Sequence, residues 1–203
     1  MNLEFKMLDK KDYKKAISFA IKGMHFNIYF EDEPFIMNIY GKYFLYSEML
    51  KATQIIAVYS KDEFLGLLIS RVNGEDRCFK SFSKNIYVKF IELIQNIFFK
   101  SSAGEYDIAC KEMLEEYKKE NNPDGEIIFL ASNQESKIKG IGTALLREYE
   151  KREKGKVIYL YTDDQCTYQF YEHRGFERVQ ERDIELNLKK KVKLKCMLYS
   201  KKI

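Results

Sequence analysis

Histidine and paired cysteine are scarce in this chain of 203 residues, which holds 2 histidines and 4 cysteines. Cys78, Cys110, Cys166 and Cys196 are widely scattered, with no paired metal spacing and no histidine cluster. That pattern argues against a zinc site or a disulfide framework. Long apolar runs are missing too. The most apolar segment, 84–99, is interrupted by Lys89 and Glu92 and falls short of the roughly 20 residues that a spanning helix needs. Neither sign of charge is in large excess: 35 Lys and Arg against 31 Asp and Glu give a net +4, too little to imply a nucleic-acid partner. Charges also break up the first residues, so no signal peptide is expected there. These absences predict a cytoplasmic protein with thiol cysteines and with neither membrane nor nucleic acid as partner.

What is present suits one folded domain spanning 1–203. Hydrophobic residues make up 45% and charged residues 33%, enough to bury a full core. Periodicity predicts a strand at 3–8, a helix at 11–24 opened by Asp9, an aromatic-rich helix at 36–52, and a hairpin of 54–59 with 63–72 around Ser60-Lys61-Asp62. Later come strands at 126–130 and 157–162, a short helix at 166–173, and long antiparallel strands at 176–188 and 192–200. The lysines at 189–191, 193 and 195 alternate with Val192, Leu194 and Cys196, which reads as a strand with one wet face.

The richest stretch is Lys137-Ile138-Lys139-Gly140-Ile141-Gly142-Thr143, behind the apolar strand Glu126-Ile127-Ile128-Phe129-Leu130. After Gly142 the spacing becomes helical, with Ile141, Leu145, Leu146 and Tyr149 on one face. A strand that turns through glycines and lysines into a helix start presents backbone N–H groups and the positive dipole end to an anion such as phosphate. A P-loop would need Lys-Ser/Thr after its second glycine, and none stands there. A dinucleotide fingerprint would need a third glycine where Leu145 stands. A plain tight turn is the bland alternative.

The stretch resembles the acyl-CoA-binding segment of the GNAT N-acetyltransferases, which runs Gln/Arg-x-x-Gly-x-Gly/Ala. Lys137 takes the Gln/Arg position, ahead of Gly140 and Gly142, and keeps a positive charge there. Downstream, Tyr171-Glu172-His173-Arg174-Gly175-Phe176 resembles the family's tyrosine, three residues, then Gly-Phe. The resemblance runs from Glu126 to Val179 in the family's order. It implies an α/β fold: a mixed, mostly antiparallel sheet flanked by helices. It also implies transfer of an acetyl group from acetyl-CoA directly to a primary amine of a small molecule or peptide.

Site roles follow from the same resemblance. Residues Lys137, Ile138, Lys139, Gly140, Ile141, Gly142 and Thr143 would bind the pyrophosphate. Leu130, Ala131 and Ser132 would bind the pantetheine arm and stabilise the oxyanion. Tyr171 would protonate the departing thiolate, whose unperturbed pKa of about 8.5 lies below the roughly 10 of tyrosine. Its alternative is a core tyrosine with a bonded hydroxyl. Asp164 falls where many members carry a pantetheine-contacting asparagine; a helix N-cap at Asp163 or Asp164 is the competing reading.

A general base is less defined. Glu126 could relay a proton through water, or could be the polar first residue of its strand. The acidic Glu31-Asp32-Glu33 could attract a cationic amine, or be a solvated loop. His25 reads as a packed histidine and His173 as a surface residue. Cys166 lies close to the cofactor segment, and a buried free thiol is preferred over an acyl-enzyme. Residues 75–123 lie outside the resemblance and carry helical patterns at 84–99 and 105–119. The first is apolar on nearly every side and must be covered: by the second helix and the sheet, by a second copy in a homodimer, or as a substrate lid. Two other readings of the whole chain are a non-catalytic acyl-CoA sensor and an oligomeric interaction module.

Overall fold

Residues 2–26, 33–98, 103–187 and 191–203 are described by the structure, a computed structural model. Glu31 and Asp32 of the acidic cluster, and the predicted element ends Phe99 and Leu188, lie outside them; Glu33 is exposed.

Strand β1 (Glu4–Lys6) pairs antiparallel with β2 (Gln54–Ser60). It is shorter than predicted because Leu8 turns into the core and the Tyr59 hydroxyl accepts the Asp9 N–H at 3.0 Å. A 3-10 turn over Lys10–Asp12 intervenes before helix α1 (Tyr13–Gly23). Asp9 therefore does not open α1: its side chain caps no N–H, and its carboxylate lies 3.4 Å from Lys6. Helix α2 (Pro34–Lys51) starts on proline, where the absent N–H would have no intrahelical partner anyway. β2 and β3 (Glu63–Val72) form the expected hairpin. Lys61 and Asp62 take φ of 49° and 64°, the left-handed pair that matches strand twist in a two-residue turn.

Internal contacts gather into two compact units, Met1–Ile91 with Ile127–Lys154, and Glu92–Glu126 with Gly155–Ile203. In the first unit β1, β2, β3 and most of β4 (Gly125–Ser132) lie in that order. Helices α1 and α2 pack together over one buried cluster with Leu45, Met49, Ala57, Tyr59, Phe64, Leu67 and Ile69. A bulge between Val58 and Tyr59 sets Ala57 opposite Leu67 but Tyr59 opposite Phe64. That single-residue slip lets Phe64 join the same cluster as Leu67 and Ile69. Helix α5 (Ile141–Arg152) packs on β2 and β3 through buried Ile141, Leu145, Leu146 and Tyr149.

Two helices lie between β3 and β4: α3 (Phe82–Phe98) and α4 (Ala103–Tyr117). In the second unit β5 (Val157–Asp163) pairs antiparallel with β7 (Lys191–Lys202), and β7 with β6 (Glu177–Asn187). The first two residues of β4 pair in parallel with β5, as Gly125–Ile158 and Glu126–Tyr159, and the ladder ends there. The sheet is thus mixed and mostly antiparallel, as the resemblance implied.

Helix α4 covers β6 and β7, closing a core of Met113, Tyr117, Tyr159, Cys196 and Leu198. The Tyr117 hydroxyl donates to Ser200 Oγ at 2.9 Å, and Ser200 donates to the Ile158 carbonyl at 3.2 Å. α4 is therefore part of a core and not an appendage. We expect Met113→Ala, at a position with 0% exposure, to lower unfolding free energy by about 2–5 kcal/mol. Denaturant titration with an unchanged m value would show it.

Candidate active site

One group of candidate residues is built from β3, the exit of β4 and the start of α5, all in the first unit. The bulged residue Leu65 leaves its carbonyl free to accept the Asn133 N–H at 2.7 Å, which anchors the chain just past β4. Next to it, Gly66 clears the space. A Cβ at that position would lie 2.9 Å from the Ala131 carbonyl oxygen, 2.9 Å from Ile141 Cγ2 and 3.0 Å from Leu145 Cδ1. Ala131 and Ile141 are both expected site residues. The sequence reading gave Gly66 no role, since it rested on the glycines of the turn. Its signal was a lone glycine inside the apolar strand Phe64-Leu65-Gly66-Leu67-Leu68, the mark of a bulge or close backbone approach.

From Asn133 the loop ties up its own polar groups. Asn133 Oδ1 accepts the Glu135 N–H at 3.1 Å, the Ser136 N–H reaches the Asn133 carbonyl at 3.2 Å, and Ser136 Oγ accepts the Ile138 N–H at 3.1 Å. Lys22 of α1 holds Glu135 at 2.8 Å. Lys137 and Lys139 are exposed and form no hydrogen bond or ion pair among the described residues. Gly140 then turns the chain into α5 with φ 78° and ψ 13°, and no side chain caps the helix start. Nothing lies within 4 Å of a Cβ built on Gly140, so left-handed backbone and not crowding requires glycine there. Leu130, Ala131 and Ser132 are half-buried at the end of β4.

A separate group of candidate residues lies in the second unit, on α6 (Gln169–Glu172). The predicted helix at 166–173 is only this one turn. Asp163 explains the shortfall: its Oδ1 accepts the N–H groups of Gln165 and Cys166 at 3.0 and 3.2 Å, making a turn and not a helix cap. Asp164 is exposed and pairs with β7, its Oδ1 accepting the Lys195 N–H at 3.2 Å. Gly175 takes φ 76°, which swings the chain back so that Phe176 N–H reaches the Tyr171 carbonyl at 3.1 Å. Phe176 is buried and its ring meets that of Tyr171 edge-on at 5.9 Å. The tyrosine, glycine and phenylalanine of the motif are thus three parts of one helix ending.

A one-turn helix has little stability of its own, and α6 is held from outside. Glu172 accepts the Tyr199 hydroxyl at 2.6 Å and pairs with Arg178 at 2.8 Å, while Arg178 Nε also donates to the Tyr199 hydroxyl at 2.9 Å. Sequence reading gave no role to Glu172, Arg178 or Tyr199, which lie on three separate elements. The Tyr171 hydroxyl itself has no hydrogen-bond partner among the described residues. Burial pushes its ionisation well above the usual tyrosine range, with Cys166 a smaller contributor. Among the described residues nothing supplies the bond that the core-tyrosine alternative expects.

Glu126 is half-buried at the foot of β4, where Oε2 accepts the Tyr159 hydroxyl at 3.4 Å. Burial, then the nearby Asp163 carboxylate, pushes the Cys166 thiol up to about 12, which keeps it protonated near neutral pH. His25 is half-buried with φ 50°, and His173 is exposed. Among the described residues no cluster of three His, Cys, Asp or Glu side chains could hold a metal, and no helix is long and apolar enough to cross a membrane.

No protein-family model matches the chain, and comparison with curated proteins found no sequence relative. Solved structures match it at probability 1.00. A PaiA N-acetyltransferase from Thermoplasma acidophilum in complex with coenzyme A matches over 100% of both chains, with TM-score 0.52 and 15% identity. A histone acetyltransferase HPA2-related protein from Corynebacterium glutamicum matches over 98% of this chain and 96% of its own, with TM-score 0.57 and 12% identity. A GNAT-family acetyltransferase from Bacillus cereus covers 100% and 98%, with TM-score 0.50 and 10% identity. The chain has the GNAT acetyltransferase fold.

Proposed function

We propose that this chain is an N-acetyltransferase that moves an acetyl group from acetyl-CoA to a primary amine of a small molecule or peptide. One observation carries the reading. A half-buried strand exits through a self-bonded loop whose Lys137 and Lys139 have no partner among the described residues, then turns at a left-handed glycine into a helix start with no side-chain cap. Two exposed lysines with no partner among the described residues, a helix start without a side-chain cap and open space over Gly140 suit a pyrophosphate. The GNAT fold, shared with a neighbour solved with coenzyme A, adds support.

In this reading Lys137, Ile138, Lys139, Gly140, Ile141, Gly142 and Thr143 hold the pyrophosphate. Leu130, Ala131 and Ser132 line the pantetheine arm and offer N–H groups to the thioester oxygen as it gains charge. The amine nitrogen bonds the acyl carbon, the carbon–sulfur bond breaks, and the Tyr171 hydroxyl gives its proton to the sulfur. The proton lost by the amine passes through water, with Glu126 as the proposed relay, and restores Tyr171. Because burial keeps the Tyr171 hydroxyl protonated, it suits donation to a thiolate, not proton abstraction. A protonated Cys166 supports direct transfer over an acyl-enzyme. Asp164 remains a proposed pantetheine contact through its second carboxylate oxygen, and the cytoplasm is the proposed compartment.

Thermal unfolding with and without acetyl-CoA tests the cofactor. Ligand at about 100 times its dissociation constant stabilises a folded protein by roughly 2.7 kcal/mol, so a clear rise in melting temperature is expected. No rise at millimolar acetyl-CoA would leave the loop as a turn only. Release of free thiol on adding primary amines would then separate an enzyme from a non-catalytic sensor.

A further inference from the structure

Helix α3 was expected to be covered, and one of its apolar faces is exposed. Phe82 is 81% exposed, Ile86 52%, Phe90 58% and Leu93 57%. Their spacing of four, four and three residues sets them along one side of a helix, so they form a continuous stripe and not scattered apolar residues. The other side of α3 is occupied. Val88 is buried, the Tyr87 ring meets Tyr46 at 5.8 Å, and its hydroxyl donates to the Ile39 carbonyl at 3.2 Å. Lys84 sits 4.8 Å from the centroid of Tyr13 and 4.9 Å from that of Tyr46. α3 is thus docked by one face and presents the opposite one to solvent.

We propose that this stripe is the contact of a homodimer in which α3 of one copy packs antiparallel on α3 of another. Area is the argument. A phenylalanine buries about 150–250 Å², so the four side chains expose on the order of 450 Å² of apolar surface per copy. Two copies would remove roughly 900 Å² of it. In homodimer interfaces about 65% of the buried area is apolar, which implies a total near 1,400 Å², inside the roughly 1,200–2,000 Å² of a specific, stable complex. An antiparallel pair sets Phe90 of one copy against Ile86 of the other, and the two-fold axis repeats that contact. The stripe matches itself, as an isologous interface requires.

Sedimentation velocity of the full chain from 1 to 100 µM tests this. We expect a concentration-dependent shift from a species of 24.2 kDa to twice that mass. Ile86→Glu and Phe90→Glu, made singly and together, should weaken association at least tenfold while circular dichroism and the melting temperature of the monomer stay unchanged. Ile108→Glu, at a position 58% exposed on α4, should leave the dimer intact. A wild type that stays monomeric at 100 µM overturns the proposal. So does a dimer that survives both α3 substitutions, or a monomer that co-sediments with phosphatidylcholine–phosphatidylglycerol vesicles through the same stripe.

Discussion

Tyr171→Phe should lower turnover by on the order of 10²-fold or more while coenzyme A binding stays within about twofold. The substitution removes one oxygen and leaves the ring, which packs on Phe170 at 5.2 Å and Phe176 at 5.9 Å. The lost hydroxyl has no partner among the described residues, so its removal orphans no other buried polar group and folding is spared. That separation makes the experiment clean. A structural tyrosine would reveal itself as a lower melting temperature with turnover retained; a proton donor shows full stability and lost turnover. Rate against pH adds a second signature. Burial raises the Tyr171 ionisation above its ordinary value, so its acid form persists through the ordinary tyrosine range. Rates should therefore rise with the free-amine fraction and show no alkaline loss up to about pH 10. An unchanged turnover number in Tyr171→Phe would remove this residue from the chemistry.

Gly66→Ala is expected to do damage out of proportion to one methyl group. The new Cβ would stand 2.9 Å from a backbone oxygen, that of Ala131, and 2.9–3.0 Å from Ile141 and Leu145 side chains. Side chains can shift a few tenths of an ångström, but the Ala131 carbonyl is fixed by the strand whose exit Asn133 pins to Leu65. Overpacking of this kind costs about 1–3 kcal/mol, or roughly 2–10 °C of melting temperature in a chain of this size. The strain falls on the end of β4 and the start of α5, the parts proposed to hold the cofactor. Acetyl-CoA affinity should therefore fall about tenfold, equivalent to 1.4 kcal/mol, as read by calorimetric titration. Gly104→Ala is the contrast. It lies in the first turn of α4 with nothing within 4 Å of the new Cβ, so it should gain about 0.4–1 kcal/mol by restricting the unfolded chain and leave affinity alone. If Gly66→Ala binds acetyl-CoA as tightly as wild type, the close packing at β3 has no part in shaping the site.

Local chemistry determined much of this protein before any tertiary contact is considered. Apolar periodicity placed the strands and helices to within a few residues, because burying one face imposes a period of 2 or 3.6 on the residues themselves. Gly140 and Gly175 were legible because left-handed backbone nearly demands glycine, and both adopt it at φ 78° and 76°. Tyr171 was legible only through its register with Gly175 and Phe176, since 15 tyrosines give composition no means of choosing one. Tertiary structure decided the rest. Asp163 shortens the helix before Tyr171 by taking two N–H groups into a turn, a choice between competing local bonds that residue type leaves open. Glu172, Arg178 and Tyr199 meet across three elements, and such meetings depend on strand order and register. Whether α3 is covered or bare depended likewise on what else packs nearby. A sequence states which faces must be buried or turned; only the folded chain states which surfaces find each other.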